Sequence, residues 1–270
     1  MKHSRFIKTL LALLLGGTVL LGVTNAPVGP AVWRNSLGMD FVPIPVRARE
    51  VRMAVVETQE AQMRTFRKER NIAQSAKVGF FASKTPAAYV DWYEAVAFCE
   101  WLTQKERAAG LISSQARYRL PTDREWSCAV GIGEHEAVKG TPEDKSNRIG
   151  DLHPWGSAWP PPEGAGNLCG EESQSDFPDC YIQGYRDGLA GGKLRSRASA
   201  ANALGLYDLA GSLWEWCEDP FRADKEDWRV LRGGSWKSMN RHTLLSSHRT
   251  HDPRGYRSDS VGFRCVLEGR

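Results

Sequence analysis

The side chains of this 270-residue chain that could do chemistry fall into two groups. The first is six cysteines, at positions 99, 128, 169, 180, 217 and 265. Thiolates are soft donors, suited to Cu(I) or to disulfide exchange. Cys169 and Cys180 lie in one irregular stretch, where they could form a local bridge or stay two free thiols. Cys128 and Cys217 read as buried thiols that pack as small apolar groups. The second group is His248, His251 and Asp252, with His242 nearby. Two imidazoles and a carboxylate could hold non-haem iron as a facial triad. The same residues would also suit a plain polar surface loop.

Whether thiols can pair depends on the compartment. Lys2, Arg5 and Lys8 precede Thr9 to Val23, a Leu-rich stretch without charge. A basic start before an apolar run is the pattern of a secretory signal. The run is short for a bilayer span, which needs about 20 residues. Thr24-Asn25-Ala26 is the expected cleavage site, but Pro27 disfavours cleavage, so a retained N-terminal membrane anchor is the alternative. Residues 1–26 are thus read as signal or anchor, 27–36 as a tether and 37–270 as the folded domain. The expected location is exported: periplasmic, secreted or anchored facing outward. Disulfides are permitted there.

The chain is 41% hydrophobic and 25% charged, which excludes a disordered or polytopic membrane protein. Its 36 basic and 32 acidic residues give +4. Without the three leader cations the body carries 33 against 32, and it contains no basic block. That is a poor match for nucleic acid. Ten Trp, 26 Gly and 14 Pro point to aromatic plates linked by irregular loops.

These residues need elements to hold them. Phe41 to Val46 and Arg52 to Glu57 read as short strands, with Pro43 and Pro45 confining the first to a sheet edge. Thr58 to Arg70 reads as a charged surface helix. Asp91 and Glu94 form a capping-box pattern. The helix they open puts Ala95, Val96, Phe98, Cys99 and Leu102 on one apolar face and ends near Gly110. Arg117 to Leu120 reads as a strand. Thr122 and Glu125 form a second box, starting a short helix with Trp126 inward. From about 131 to 205 no period persists, so these loops need an outside constraint. Leu213 to Cys217 alternates as a strand with Trp214 and Trp216 on one face. Arg229 to Leu231 and Val261 to Leu267 are two further strands. The fold class is α+β, with little regular secondary structure.

Several strings occur in order: Asn35-Ser-Leu-Gly-Met-Asp-Phe-Val-Pro43, Tyr118-Arg-Leu-Pro-Thr-Asp-Arg-Glu-Trp126, Gly205-Leu-Tyr-Asp-Leu-Ala-Gly-Ser-Leu-Trp-Glu-Trp216, Arg229-Val-Leu-Arg-Gly-Gly-Ser-Trp236 and Val261-Gly-Phe-Arg-Cys265. This set resembles the formylglycine-generating enzyme, or sulfatase-modifying factor, domain family from about residue 35 to the C-terminus. The resemblance implies a variant of the C-type lectin-like fold. It also implies oxidation of a sulfatase cysteine by O2 at a copper ion held by two thiolates.

In the family that thiolate pair follows the Gly-Gly-Ser-aromatic string. Here the string is Gly233 to Trp236, and no cysteine lies between Cys217 and Cys265. Ser238 and a residue within Arg241 to Thr243 stand at the two positions. Alkyl hydroxyls are hard donors and cannot replace thiolates at Cu(I). Copper chemistry is therefore not expected. Trp214, Ser235, Trp236 and Ser238 remain the pocket candidates. The resemblance further implies two calcium sets of hard oxygen donors. One is Asp208, Gly211, Leu213 and Glu215; the other is Asn167, Leu168, Asp187 and Leu189. Asp208 as a turn former and Glu215 as a buried structural acid are the plainer reading of the first. It also implies a Cys99–Cys265 disulfide.

Two function classes follow. One is a binding or scaffold protein that takes a protein or glycan ligand of the cell envelope in a groove lined by residues 237–260, a stretch that retroelement-diversified receptors resembling this domain vary. The other is an oxygenase or protein-modifying enzyme of the same family working through other residues, such as iron. No convergent nucleophile or redox ligand is evident, which favours the first.

Overall fold

The computed structural model describes residues 31–47, 49–73, 84–190 and 192–269. The expected signal or anchor lies outside the described residues. Strand β1 (Trp33–Arg34) begins within the stretch read as a tether. It pairs antiparallel with β2 (Asp40–Pro43), which pairs with β3 (Val51–Ala54). The expected edge strand β2 is therefore interior. Pro43 is its last residue and Pro45 lies beyond it, so neither removes an N–H needed by β1, whose register is Trp33 to Phe41 and Arg34 to Asp40.

Helix α1 (Glu60–Glu69) starts at Gln59, whose backbone N–H donates to the Gln62 side chain at 2.7 Å. Helix α2 (Trp92–Ala108) starts at Asp91, which accepts from the Glu94 N–H at 2.8 Å. Glu94 does not complete the box. It takes the buried Arg67 at 2.7 Å and also Arg257, because two guanidiniums outcompete one backbone N–H. After β4 (Arg117–Arg119), α3 (Asp123–Ala129) forms its box in full: Thr122 Oγ1 accepts from Glu125 N at 3.2 Å, and Glu125 Oε2 accepts from Thr122 N at 2.9 Å. Among the described residues between 131 and 205, regular structure is limited to α4 (Pro142–Lys145) and two 3-10 turns.

The C-terminal part supplies β5 (Trp214–Arg222), β6 (Lys225–Arg232), β7 (Thr250–Pro253), β8 (Val261–Gly262) and β9 (Val266–Glu268). Two sheets result, with orders β1-β2-β3-β9-β4 and β7-β6-β5-β8. The strand expected over 261–267 is split between them, β8 running parallel to β5 while β9 lies between β3 and β4. Phe263, Arg264 and Cys265 make the crossing, all fully buried.

Two apolar cores flank the sheets. One joins Phe41, Phe66, Phe98, Leu102, Trp216 and Phe263; the other joins Val51, Trp126, Leu209, Cys217 and Val230. Trp126, on the inner face of α3, and Trp216, on β5, are both sealed. Trp92 and Trp214 cover the edge of the first core.

Candidate functional site

The turn leaving β6 carries Ser235, Trp236 and Ser238. The Ser238 hydroxyl accepts from Ser235 N at 3.0 Å, and the Ser235 hydroxyl accepts from Lys237 N at 3.3 Å. Both serines are buried turn locks. Thr243, within the segment where a second thiolate would stand, donates its hydroxyl to the Asn240 carbonyl at 2.9 Å. The donors here are hydroxyls bound to their own backbone, and they do not fit copper.

Trp236 is 8% exposed and packs with Ala88, Leu194, Leu213 and Phe177. Its Nε1 donates to the Asp259 carbonyl at 3.1 Å. A Cβ on Gly192 would meet the indole at 2.9 Å, so a glycine lets that loop lie flat on the ring. Trp236 is thus a packed plate. Trp214, half-buried, sets its ring 5.8 Å from that of His248. The segment 237–260 is less open than its polarity suggests. Ser246, Ser247 and Arg249 are buried, Arg249 bonding Asp123 and Glu136 beside the buried Arg232. Lys237, Met239, Asn240, His242, Tyr256 and Arg257 remain exposed.

The set around Asp208 is already answered from within the protein. The Asp208 carboxylate accepts from the backbone N–H groups of Arg197 at 2.5 Å and Ser199 at 2.9 Å. Glu215 accepts from Trp126 Nε1 at 2.9 Å and from Arg264. The Arg264 guanidinium also donates to the carbonyls of Ala54 at 3.2 Å, Tyr207 at 3.0 Å and Asp208 at 3.1 Å. A guanidinium thus supplies the positive charge, and this set does not fit calcium. Sequence reading missed Glu57, a sealed carboxyl with no hydrogen-bond partner on either oxygen. Burial, with Asp208 and Glu215 nearby, pushes its carboxyl well above the usual range.

The Asn167 set is different. Asn167 pairs with Gly211 in a parallel bridge so close that a Cβ on Gly211 would lie 2.0 Å from the Asn167 carbonyl oxygen. Asn167 Nδ2 donates to the Lys193 carbonyl at 3.0 Å, but its Oδ1 is buried and accepts from none of the described residues. Asp187 accepts from Leu168 N and Leu189 N, each at 2.8 Å. An orphaned amide oxygen in a loop organised by a half-buried carboxylate fits a hard cation such as calcium.

The facial triad does not assemble. The His251 ring lies 4.3 Å from both Phe221 and Trp228. Asp252 follows it on β7 and so faces the other side of the sheet. His248 bonds Asn147 through Nδ1 at 3.0 Å, and His242 is exposed in a 3-10 turn. Among the described residues, no three or more His, Cys, Asp or Glu are grouped to hold a metal ion. Nor do these residues form a plain surface loop: His251 and Asp252 lie within strand β7, and His248 is next to the buried Arg249.

All six cysteines are thiols in this structure. Cys99 Sγ and Cys265 Sγ stand 3.5 Å apart in the first core, joining α2 to the start of β9. Cys169 Sγ donates to the Cys180 carbonyl at 3.0 Å, and the Cys169 N–H donates to the Ser238 carbonyl at 3.1 Å. Cys128 and Cys217 are buried, as their apolar reading requires.

Comparison with known proteins agrees with this architecture. The family model described as "Sulfatase-modifying factor enzyme 1-like domain" matches residues 8–269. A Bos taurus protein named "Inactive C-alpha-formylglycine-generating enzyme 2" is 31% identical over 186 residues, covering 67% of this chain and 50% of that protein. A "Formylglycine-generating enzyme" of Thermomonospora curvata is 28% identical over 209 residues, covering 68% and 55%. The chain therefore spans about half the length of these curated relatives. Among solved structures, Treponema denticola variable protein 1 superposes with a TM-score of 0.56 at 18% identity, covering 89% of this chain and all of that one. With so low an identity, that likeness speaks for the fold alone: the C-type lectin-like arrangement of formylglycine-generating enzymes. Motifs, fold and family model agree that the chain belongs to the sulfatase-modifying factor enzyme 1-like (formylglycine-generating enzyme) domain family.

Proposed function

We propose that this protein is an exported binding or scaffold member of its family that does not perform copper-thiolate formylglycine formation. One observation carries the reading: after Gly233-Gly-Ser-Trp236, the place of the thiolate pair is taken by Ser238 and the segment ending at Thr243, whose hydroxyls are spent on local backbone. The similarity to proteins named as inactive formylglycine-generating enzymes supports it. The ligand is a protein or glycan of the cell envelope, met by the exposed Lys237, Met239, Asn240 and His242 beside the Trp236 plate. Calcium belongs to this reading at the Asn167 set, where it would use Asn167 Oδ1 and the Asp187 carboxylate to hold the loops.

Metal titration of the reduced protein tests the reading. Calcium should raise the thermal midpoint, and Asn167→Ala should abolish that rise, whereas Cu(I) should show no tight, stoichiometric binding. Tight stoichiometric Cu(I) uptake would overturn it.

A further inference from the structure

Six arginines are buried among the described residues. Five have a carboxylate within salt-bridge distance: Arg67 with Glu94, Arg119 with Glu125, Arg232 with Asp123, Arg249 with Glu136 and Arg264 with Glu215. Arg229, on β6 and 9% exposed, is the exception. Its Nη1 donates to the Glu218 carbonyl at 2.6 Å, and its Nε is buried without an acceptor. The guanidinium lies 4.6 Å over the Trp92 ring. That indole is fixed by its Nε1 donating to the Cys217 carbonyl at 3.0 Å, and it also carries Arg254 at 5.3 Å. Ring contacts soften a positive charge without cancelling it, and a second cation raises the cost. A buried, unpaired guanidinium is expensive unless an anion arrives.

An opening for that anion is present. Arg229 lines a cavity of about 460 Å³ between α2, β4 and β5–β6. This lies within the roughly 300–1,000 Å³ usual for small-molecule sites. Trp92, Val96, Tyr118 and Leu120 give it apolar walls. At the exposed rim stands Arg107, whose Nε donates to the Ala116 carbonyl at 2.9 Å and which has no salt-bridge partner among the described residues. Glu100 and Glu218 line the cavity alongside Arg117 and Arg119, whose charges are already met by Glu268 and Glu125, so it is not uniformly basic and suits a monoanion better than a dianion. None of Trp214, Ser235, Trp236 or Ser238 lines it, which makes it independent of the proposed envelope-ligand surface.

We propose that this cavity binds a small monocarboxylic acid with an aromatic or aliphatic body, its carboxylate on Arg229 and its body against Trp92, Val96 and Leu120. The full-length protein is titrated with sodium benzoate, following tryptophan fluorescence and the thermal midpoint, with benzyl alcohol and phenyl phosphate as comparison ligands. Saturable benzoate binding is expected, with benzyl alcohol weaker by about tenfold or more because it lacks the charge-assisted bonds. Arg229→Gln should remove that difference. Gln104→Glu, an exposed rim change that leaves the core intact, should weaken benzoate a few-fold by added negative charge. No saturable benzoate binding, unchanged binding in Arg229→Gln, or tighter binding of phenyl phosphate than of benzoate would each overturn the assignment.

Discussion

Arg264 holds its Nε 2.8 and 2.7 Å from the two carboxylate oxygens of Glu215, and both residues are sealed from solvent. The pair ties the β8–β9 crossing to β5, and through the carbonyls of Ala54, Tyr207 and Asp208 it binds two further segments. Breaking one side of such a pair strands a buried charge. Arg264→Met should therefore cost about 3–5 kcal/mol. Adding Glu215→Leu should restore part of that loss. Urea denaturation of the two variants checks this, and a loss below about 1 kcal/mol for the single change would refute the tie.

Trp236→Ala should cost about 3–5 kcal/mol, because the indole fills a contact between Leu194, Leu213 and Phe177. A stability change within about 0.5 kcal/mol would show an open wall instead.

His248 gives the protein a pH-dependent component. Burial, and then the nearby Arg232 and Arg249, hold its imidazole down to about 4. Its unfolded value is about 6.5. The folded state thus favours the neutral ring. That contribution is complete above the unfolded value and is lost as pH falls from about 6.5 towards 4. His248→Gln should flatten the stability profile across this window. A profile identical to the parent protein would be contrary evidence.

The 3.5 Å approach of Cys99 and Cys265 predicts that oxidation joins them. Peptide mapping without reductant should recover a Cys99–Cys265 pair, and a Cys169–Cys180 pair should follow in the loop beside Ser238. The first closes a long loop, so its reduction should lower stability by about 5 kcal/mol in the chain-entropy account. Recovery of both Cys99 and Cys265 as free thiols after air oxidation would oppose the pairing.

What the sequence made legible was local. Thr122 and Glu125 lie one helical turn apart, so the α3 box could be read directly and forms as read. The Asp91 box was half right, because Arg67 and Arg257 claim Glu94 from distant parts of the chain. Pro43 misled by type, since its position at the end of β2 spared the ladder. The break at Phe263 to Cys265 was invisible because an apolar run does not reveal which sheet each residue joins. At the site, the missing thiolates were plain, since an absent residue needs no geometry. The buried arginine partnerships were not, because Arg264 meets Glu215 49 positions away and Arg249 meets Asp123 126 positions away. Glu57 and Arg229 fall in stretches legible as strands, but nothing in the sequence marks their charges as buried.

The thiolate-free turn at 233–243 is proposed not to generate formylglycine. The direct measurement incubates the purified protein with Cu(I), O2, a thiol reductant and a peptide bearing the sulfatase cysteine motif, and follows the peptide by mass spectrometry. An unmodified cysteine, with no gain in conversion over buffer, is expected. Copper-dependent conversion of that cysteine to the aldehyde, abolished by Ser238→Ala, would contradict it.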